Sequence, residues 1–225
     1  MICNADPPIV YSEMLPSEYS RDSLLKPKKF THYSMGLYVL FFGSKKKFSD
    51  VAHHTIWMSE RYKELLHDIF EKKILTEDFS LYLHRPTATD DTFAPEGCDS
   101  FYVLCPVPNL QGNVQWNSEG PKLKDRIVEA LDKTIMPGLK ENIEAEFWMT
   151  PEDFKNDYRS KYGAGFSVAP IFSQSAWFRY HNKDKKIPNL YFSAAGSHPG
   201  AGIPGVLCSA KVIEKLIIKD FKVSH

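Results

Sequence analysis

The chain has little that would commit it to a charged partner: Lys plus Arg and Asp plus Glu each number 28 in 225 residues, a formal net charge of zero. A balanced surface raises no long-range field toward a polyanion, so nucleic acid is not expected as a partner. Cysteine is scarce too. The four present, Cys3, Cys98, Cys105 and Cys208, form no C-x-x-C pair, which argues against a disulfide framework or a zinc–thiolate site and for a reducing compartment. Long apolar runs are missing: the longest, Gly36 to Gly43, falls far short of the roughly 20 residues that span a bilayer. The opening MICNADPP has neither the basic nor the apolar region of a secretory signal. It reads as a strand end running into an Asp-Pro turn, as if the chain began in the middle of a sheet.

Aromatic residues are plentiful, with 15 Phe and 11 Tyr, and together with balanced charge they mark a folded chain rather than a disordered one. The length suits one large domain or two small ones. Strands are predicted over Ser34–Gly43, His53–Met58, Phe79–His84, Phe101–Val107 and Asn189–Ala195. Helical spacing occurs over Glu60–Lys73, and again where Leu123, Ile127, Leu131 and Ile135 step along one stripe behind Pro121. Pro121 is expected at the first helical position, with a stop at Pro137-Gly138. Thr150-Pro-Glu-Asp153 is a helix-start signature. Strands and helices are interspersed without a repeat, which predicts an α+β fold or a mixed-sheet α/β piece rather than a barrel or bundle.

The stretch with the clearest chemistry is SAAGSHPGAGIPGVLCSAKVIEKLI, Ser193 to Ile217. Glycines at 196, 200, 202 and 205 bare the backbone where a strand hands over to a helix. Pro204 suits the first helical position, and Val206, Ala210, Ile213 and Ile217 form an apolar stripe. The unpaired amides and partial positive charge of that helix start suit a phosphate or an electron-rich ring oxygen. The string is neither G-x-G-x-x-G nor a P-loop. Taken as residues alone, it is equally a glycine-rich connection with no ligand.

The wider set of motifs narrows the choice. GSHPGAGIPGV, preceded by LYF, together with VAHHTI (Val51–Ile56), DFSLYLHRPT (Asp78–Thr87), FYVLCPVPNL (Phe101–Leu110), EGPKLKDRI (Glu119–Ile127), MPGL (Met136–Leu139) and QSAWFR (Gln174–Arg179) resembles the bacterial-type phytoene desaturases of the FAD-dependent carotenoid desaturase family. Ala194, Ser197 and Tyr180 stand where that family more often has Gly, Thr and Pro, and the amino-terminal dinucleotide fingerprint is not in these residues. The resemblance therefore implies roughly the carboxy-terminal half of such an enzyme, with Met1 an internal residue exposed by truncation. Residues 1–12 would end a flavin-domain segment, and 13–170 would form a substrate-binding domain with a mixed sheet. Residues 171–225 would return to complete a Rossmann-like FAD-binding domain with a last strand and helix.

By that resemblance Gly196, Ser197, His198, Gly200, Ala201, Gly202, Ile203 and Pro204 lie against FAD. Trp177 and Phe178, with nearby Phe166 and Phe172, offer the apolar, π-rich lining of a channel for phytoene or a related polyene, and equally suit plain core. The implied activity is desaturation by hydride transfer to flavin, with a quinone or oxygen as electron acceptor, in a cytoplasmic protein held peripherally at the membrane surface. A related carotenoid isomerase, ketolase or later-step desaturase, or a non-catalytic carotenoid-binding half-chain, is the alternative. No catalytic residue is assigned: His198 is expected to serve the turn rather than act as base. No metal site is expected either, because adjacent strand residues such as His53 and His54 should point to opposite faces. The basic turns Lys45–Lys47 and Lys183–Lys186 are solvated loops or aids to docking on anionic lipid.

Overall fold

In the computed structural model, which describes residues 1–16, 18–19 and 31–222, the strands are β1 (Ile2–Cys3), β2 (Gly36–Ser44), β3 (His54–Trp57), β4 (Leu81–His84), β5 (Asp99–Val107), β6 (Ile143–Met149) and β7 (Tyr191–Phe192). Two compact units emerge, one from residues 36–153 and one from 1–35 with 154–225. The expected boundaries at 12 and 170 divide the chain differently. Parallel and antiparallel pairing both occur, as an α+β fold allows, but in separate sheets.

The 36–153 unit is built on strict alternation. Along β5 every second side chain, from Phe101 to Val107, is buried, and the residues between are half-exposed, so one face of the sheet makes the core and the other is left open. The sheet order is β3-β4-β5-β2-β6, with every pairing antiparallel. Across the core face lies the Trp116–Lys133 helix, whose Trp116, Leu123, Ile127 and Leu131 pack among Tyr38, Leu40, Phe42, Leu83 and Val103. Each such fully buried side chain contributes roughly 1.5–3 kcal/mol.

Three sequence expectations change here. Pro121 lies inside the helix rather than at its start. Burial of Trp116, stacked on Tyr38, draws the helix one turn earlier, and the Tyr38 hydroxyl donates to the Gly120 carbonyl beside the proline at 2.9 Å. Ile135 is partly exposed, and Met136 takes the buried position instead. Strand β6 was not anticipated, because IEAEFWM is mostly exposed and its apolar residues do not alternate cleanly. Its existence is dictated by the free edge of β2, against which Phe41 pairs with Phe147. The Thr150 signature behaves as expected: the Thr150 amide and hydroxyl both donate to Asp153 Oδ2, at 2.6 and 2.8 Å, ahead of the Pro151–Asp157 helix.

One buried ion pair ties the loops of this unit together. Asp99 accepts from Arg85 Nε and Nη2 at 3.0 and 3.2 Å, from the Thr87 hydroxyl at 2.7 Å and from the Phe48 amide at 2.7 Å. The same arginine donates to the Val51 carbonyl at 3.0 Å.

In the other unit β1 and β7 pair in parallel, over a core of Val10, Tyr11, Tyr33, Val168, Tyr180, Leu190 and Phe192. The strand expected over Asn189–Ala195 is confined to Tyr191–Phe192, since beyond Ser193 the backbone turns on itself. The Ile203–Phe221 helix packs through Ser209 and Ile213. Ala210, expected on its apolar stripe, is exposed. Ser209 takes the buried place because its hydroxyl has a partner, Ser193 Oγ at 3.0 Å.

Replacing Asp99 by Ala leaves the Arg85 guanidinium buried without its counter-charge, an arrangement that costs about 3–5 kcal/mol. Urea unfolding followed by circular dichroism should show that loss for Asp99→Ala, whereas Glu129→Ala, which breaks an exposed pair with Lys133, should leave the midpoint nearly unchanged.

Candidate functional site

The glycine turn is shaped from inside by side chains that hold backbone. Ser197 is fully buried. Its hydroxyl accepts from the Ala194 amide and donates to the Ala194 carbonyl, at 3.0 and 2.9 Å, and its own amide donates to the same carbonyl. This local closure competes with strand pairing and ends β7. Gly196 is packed so tightly that a Cβ would lie 2.6 Å from Pro7 Cδ and 2.9 Å from Asp6 Oδ1. Arg179, also buried, donates to the carbonyls of Ala195, Val168, Gln174 and Phe166 at 2.7–3.3 Å. Gly196 and Ser197 are therefore the scaffold of the turn.

Residues further along face outward. Gly202, the residue before the terminal helix, has φ of 90°, and among the described residues no side chain caps the helix start. Gly202, Ile203 and Pro204 are exposed, with Gly200 and Ala201 half-exposed. Pro204 is the second helical residue, after Ile203. The backbone of His198 is engaged on both sides, its amide donating to the Tyr180 carbonyl at 2.7 Å and its carbonyl accepting from Asn182 Nδ2 at 2.8 Å. Its Nδ1 is buried with no partner among the described residues. An orphaned ring nitrogen, a bare glycine backbone and an uncapped helix start together suit a flat ligand with hydrogen-bonding edges.

Trp177 and Phe178 stand on a short helical turn beside Phe172, all three exposed. Trp177 meets the His198 ring edge-on at 6.0 Å, and Phe178 meets Phe172 at 5.9 Å. They are not core. The lysines of the Lys45–Lys47 turn are engaged, Lys46 with the Pro137 carbonyl at 2.6 Å and Lys47 with Asp91 at 3.0 Å. Lys183 is held by Asp220 at 2.6 Å.

The 36–153 unit carries a second surface that the strand predictions did not reveal. Register places His54 opposite His84, His84 opposite Tyr102, Tyr102 opposite Phe41, and Phe41 opposite Phe147. One ring from each of the five strands thus forms a continuous row across the open face. Phe41 and Phe147 stack at 4.5 Å, and Phe41 meets Tyr102 edge-on at 5.3 Å. The row borders an apolar groove of about 340 Å³, lined in part by Phe41, Tyr102, Ala145 and Phe147. The row spans the sheet for about 19 Å, four strand spacings. The signal for it lay in the half-exposed alternate positions of each strand, which become a row only once the register is known.

At one end of the row the expected separation of His53 from His54 fails. Strand β3 begins at His54, so His53 belongs to the preceding loop and escapes the alternation rule. The two rings lie 4.4 Å apart, and one nitrogen from each of His53, His54 and His84 falls within 4.8 Å of the others. Burial, and then the two neighbouring imidazoles, pull His84 below its ordinary value. All four cysteines are free, and burial pushes the Cys105 thiol up to about 12, so it is inert at neutral pH.

The fold has a counterpart among solved structures. An oxidoreductase from Methanosarcina mazei aligns with 95% of this chain at a TM-score of 0.52, with 14% identity and 42% of its own length covered. No family model matches the sequence. Individual relatives do: a lycopene-forming phytoene desaturase of Pantoea ananas is 46% identical over 221 residues, covering 96% of this chain and 44% of the relative. A neurosporene-forming phytoene desaturase of Rhodobacter capsulatus is 44% identical over 225 residues, covering 96% and 42%. The chain is similar to these phytoene desaturases along nearly all of its own length. It spans less than half the length of the relatives it matches.

Two outcomes check the turn. Arg179→Met leaves several buried carbonyls without donors, each costing about 1–3 kcal/mol. Hydrogen exchange should therefore accelerate across 193–203 while the amides of β2 and β5 keep their protection. Asp6 provides a pH signature: burial raises its carboxyl above the ordinary 3.8, against the opposing bonds from Ser167 and Lys161 and the charge of Arg179. Folding then favours its protonated form, so that stabilisation is complete below the unfolded value and is lost as pH rises through the folded one. Measured by urea unfolding, the stability of the unmodified chain relative to Asp6→Asn should fall from about pH 3.8 toward neutrality. A rise would contradict the burial argument.

Proposed function

We propose that this chain supplies the carboxy-terminal part of an FAD-dependent desaturase that introduces double bonds into phytoene. The observation that carries the reading is sequence identity of 44–46% to phytoene desaturases over 96–97% of the chain, coinciding with a turn whose bare backbone and orphaned His198 Nδ1 suit the flavin ring. FAD, when bound, would supply the acceptor for the hydride, the neighbouring substrate carbon losing a proton as the double bond forms. The protein's own part at this end is to hold the ring. Gly200, Ala201, Gly202, Ile203 and Pro204 offer backbone and a positive helix start, and His198 Nδ1 offers a hydrogen-bonding edge. Gly196 and Ser197 act one step behind, by fixing the turn.

The substrate is an apolar polyene, and the five-ring row with its groove is the surface suited to it. Ring faces offer dispersion contact and exclude water along an extended chain without demanding a polar partner. Trp177 and Phe178, with Phe172, form a second exposed aromatic group suited to the same chain or to lipid. A substrate dissolved in lipid places the enzyme peripherally at a membrane, and among the described residues no helix is long and apolar enough to cross one. The exposed rings serve that contact better than the lysine turns, where Lys46, Lys47 and Lys183 are already engaged. Quinone or oxygen is the electron acceptor in this reading.

The chain should be joined to the amino-terminal portion of a related phytoene desaturase, and bound flavin read by absorbance alongside phytoene loss in liposomes supplied with a quinone. Gly202→Val, which strains a backbone at positive φ, should cut bound flavin at least tenfold. Phe41→Ala should leave flavin content intact and raise the KM for phytoene about tenfold, equivalent to ~1.4 kcal/mol. A flavin-replete hybrid that leaves phytoene untouched would overturn the substrate.

A further inference from the structure

His53, His54 and His84 form a cluster of ligating side chains at one end of the ring row, and none of them lines its apolar groove. We propose that these three imidazoles bind a divalent transition metal, zinc in the first instance, with the fourth coordination position open to solvent. The proposal is independent of the desaturase reading.

The backbone brings the three together before any metal is considered. His54 and His84 are directly opposed on antiparallel β3 and β4, a spacing at which side chains touch. His53 is fixed from two sides by one arginine: its carbonyl accepts from the Arg85 amide at 2.9 Å, and two residues earlier the Val51 carbonyl accepts from Arg85 Nη1 at 3.0 Å. Arg85 is itself locked against Asp99. The site is built on two strands and a loop pinned to a buried ion pair, the kind of support that holds ligand geometry.

The surrounding hydrogen bonds set the tautomer that a metal needs. Thr89 Oγ1 lies 2.9 Å from His53 Nδ1 and donates to the Pro86 carbonyl at 3.3 Å. With its proton directed at Pro86, the hydroxyl faces His53 as an acceptor, so His53 carries its hydrogen on Nδ1 and a lone pair on Nε2. That Nε2 lies 2.9 Å from His84 Nε2. The Tyr82 hydroxyl engages His54 Nδ1 at 2.8 Å. Metal-binding histidines use partners of this type on the nitrogen away from the metal.

Nitrogens bound to zinc at about 2.0 Å in a tetrahedron lie about 3.3 Å apart. The 2.9 Å pair therefore has to open slightly, and the gaps of up to 4.8 Å close by ring rotation. Without metal, His84 Nε2–H donates to His53. With metal, His84 moves its hydrogen to Nδ1 and both Nε2 lone pairs turn to the ion. A donor set of imidazoles alone favours zinc, copper or nickel over calcium or magnesium. The ion would clip the loop before β3 to β4 and stabilise the sheet unit by mass action.

Zinc titration of the 225-residue chain against a chromophoric chelator, without flavin, should give one tight equivalent and a higher melting temperature. His54→Gln and His84→Gln should each weaken binding at least tenfold, and Thr89→Val should weaken it about ten- to a hundredfold. His67→Gln, an exposed histidine of the same unit, should have no effect. Cu²⁺ on the unmodified chain gives a readout that needs no variant, nitrogen hyperfine structure from several imidazoles in its electron paramagnetic resonance spectrum. Absence of tight zinc binding, affinity unchanged in His84→Gln, or copper coordinated by oxygen alone would each overturn the site.

Discussion

A buried guanidinium surrounded by main-chain carbonyls is the constraint from which the glycine turn takes its form. Arg179 reaches Phe166, Val168 and Gln174 on one irregular segment and Ala195 beyond β7. A charge taken out of water is costly unless its donors are satisfied, and here the satisfying groups are the carbonyls whose positions define the loop. Burial lowers the guanidinium from its ordinary value while the Asp6 carboxylate acts in the opposite sense. Asp6 in turn accepts from the Lys161 amide and the Ser167 hydroxyl and leaves no room for a side chain at Gly196. The turn can thus expose bare backbone at 200–204 because the ten residues before it are fixed from within.

The sheet unit solves a related problem with a second arginine. Arg85 follows β4 directly, and Asp99 opens β5, so their pairing closes the long connection between two adjacent strands. Thr87, Phe48 and Val51 join the same network. In both units a charge inside the fold organises polypeptide that has little regular hydrogen bonding of its own. In the unit of residues 1–35 and 154–222 such a stretch carries the exposed backbone of the glycine turn, whereas the ring row of the sheet unit stands on regular strands.

Much of this was legible in the sequence, and the parts that were not share a cause. The alternation of Phe101–Val107, the Leu123–Leu131 stripe and the Thr150 signature are local patterns, and each gives an element close to where it was expected. The motifs around the glycine turn pointed to the relatives that sequence comparison finds. The exceptions depend on partners far along the chain. β6 exists because β2 has a free edge. Pro121 is tolerated inside a helix because Trp116 has a place on Tyr38. Ser197, a candidate flavin contact by resemblance, spends its hydroxyl on Ala194. The histidine cluster escaped because the alternation rule applies only within a strand, and the boundary of β3 falls between His53 and His54.

The open face of the sheet shows why a row of rings is a stronger functional pointer than any single exposed aromatic. A five-stranded sheet needs one covered face, and the Trp116–Lys133 helix provides it. On the uncovered face soluble sheets ordinarily alternate to polar side chains. Here the positions from β4 to β6 in one register are Tyr102, Phe41 and Phe147 beside His84, and Phe147 is 58% exposed. Stability does not require that choice, since threonine would serve the same strands and be better hydrated. Lone apolar residues on a surface are ordinary, but rings aligned by register on every strand form a contiguous patch of the sort that marks a binding surface. Its long, narrow outline is set by strand spacing and not by the shape of any one side chain. Such an outline suits an extended apolar ligand better than a compact one, whatever the glycine turn holds.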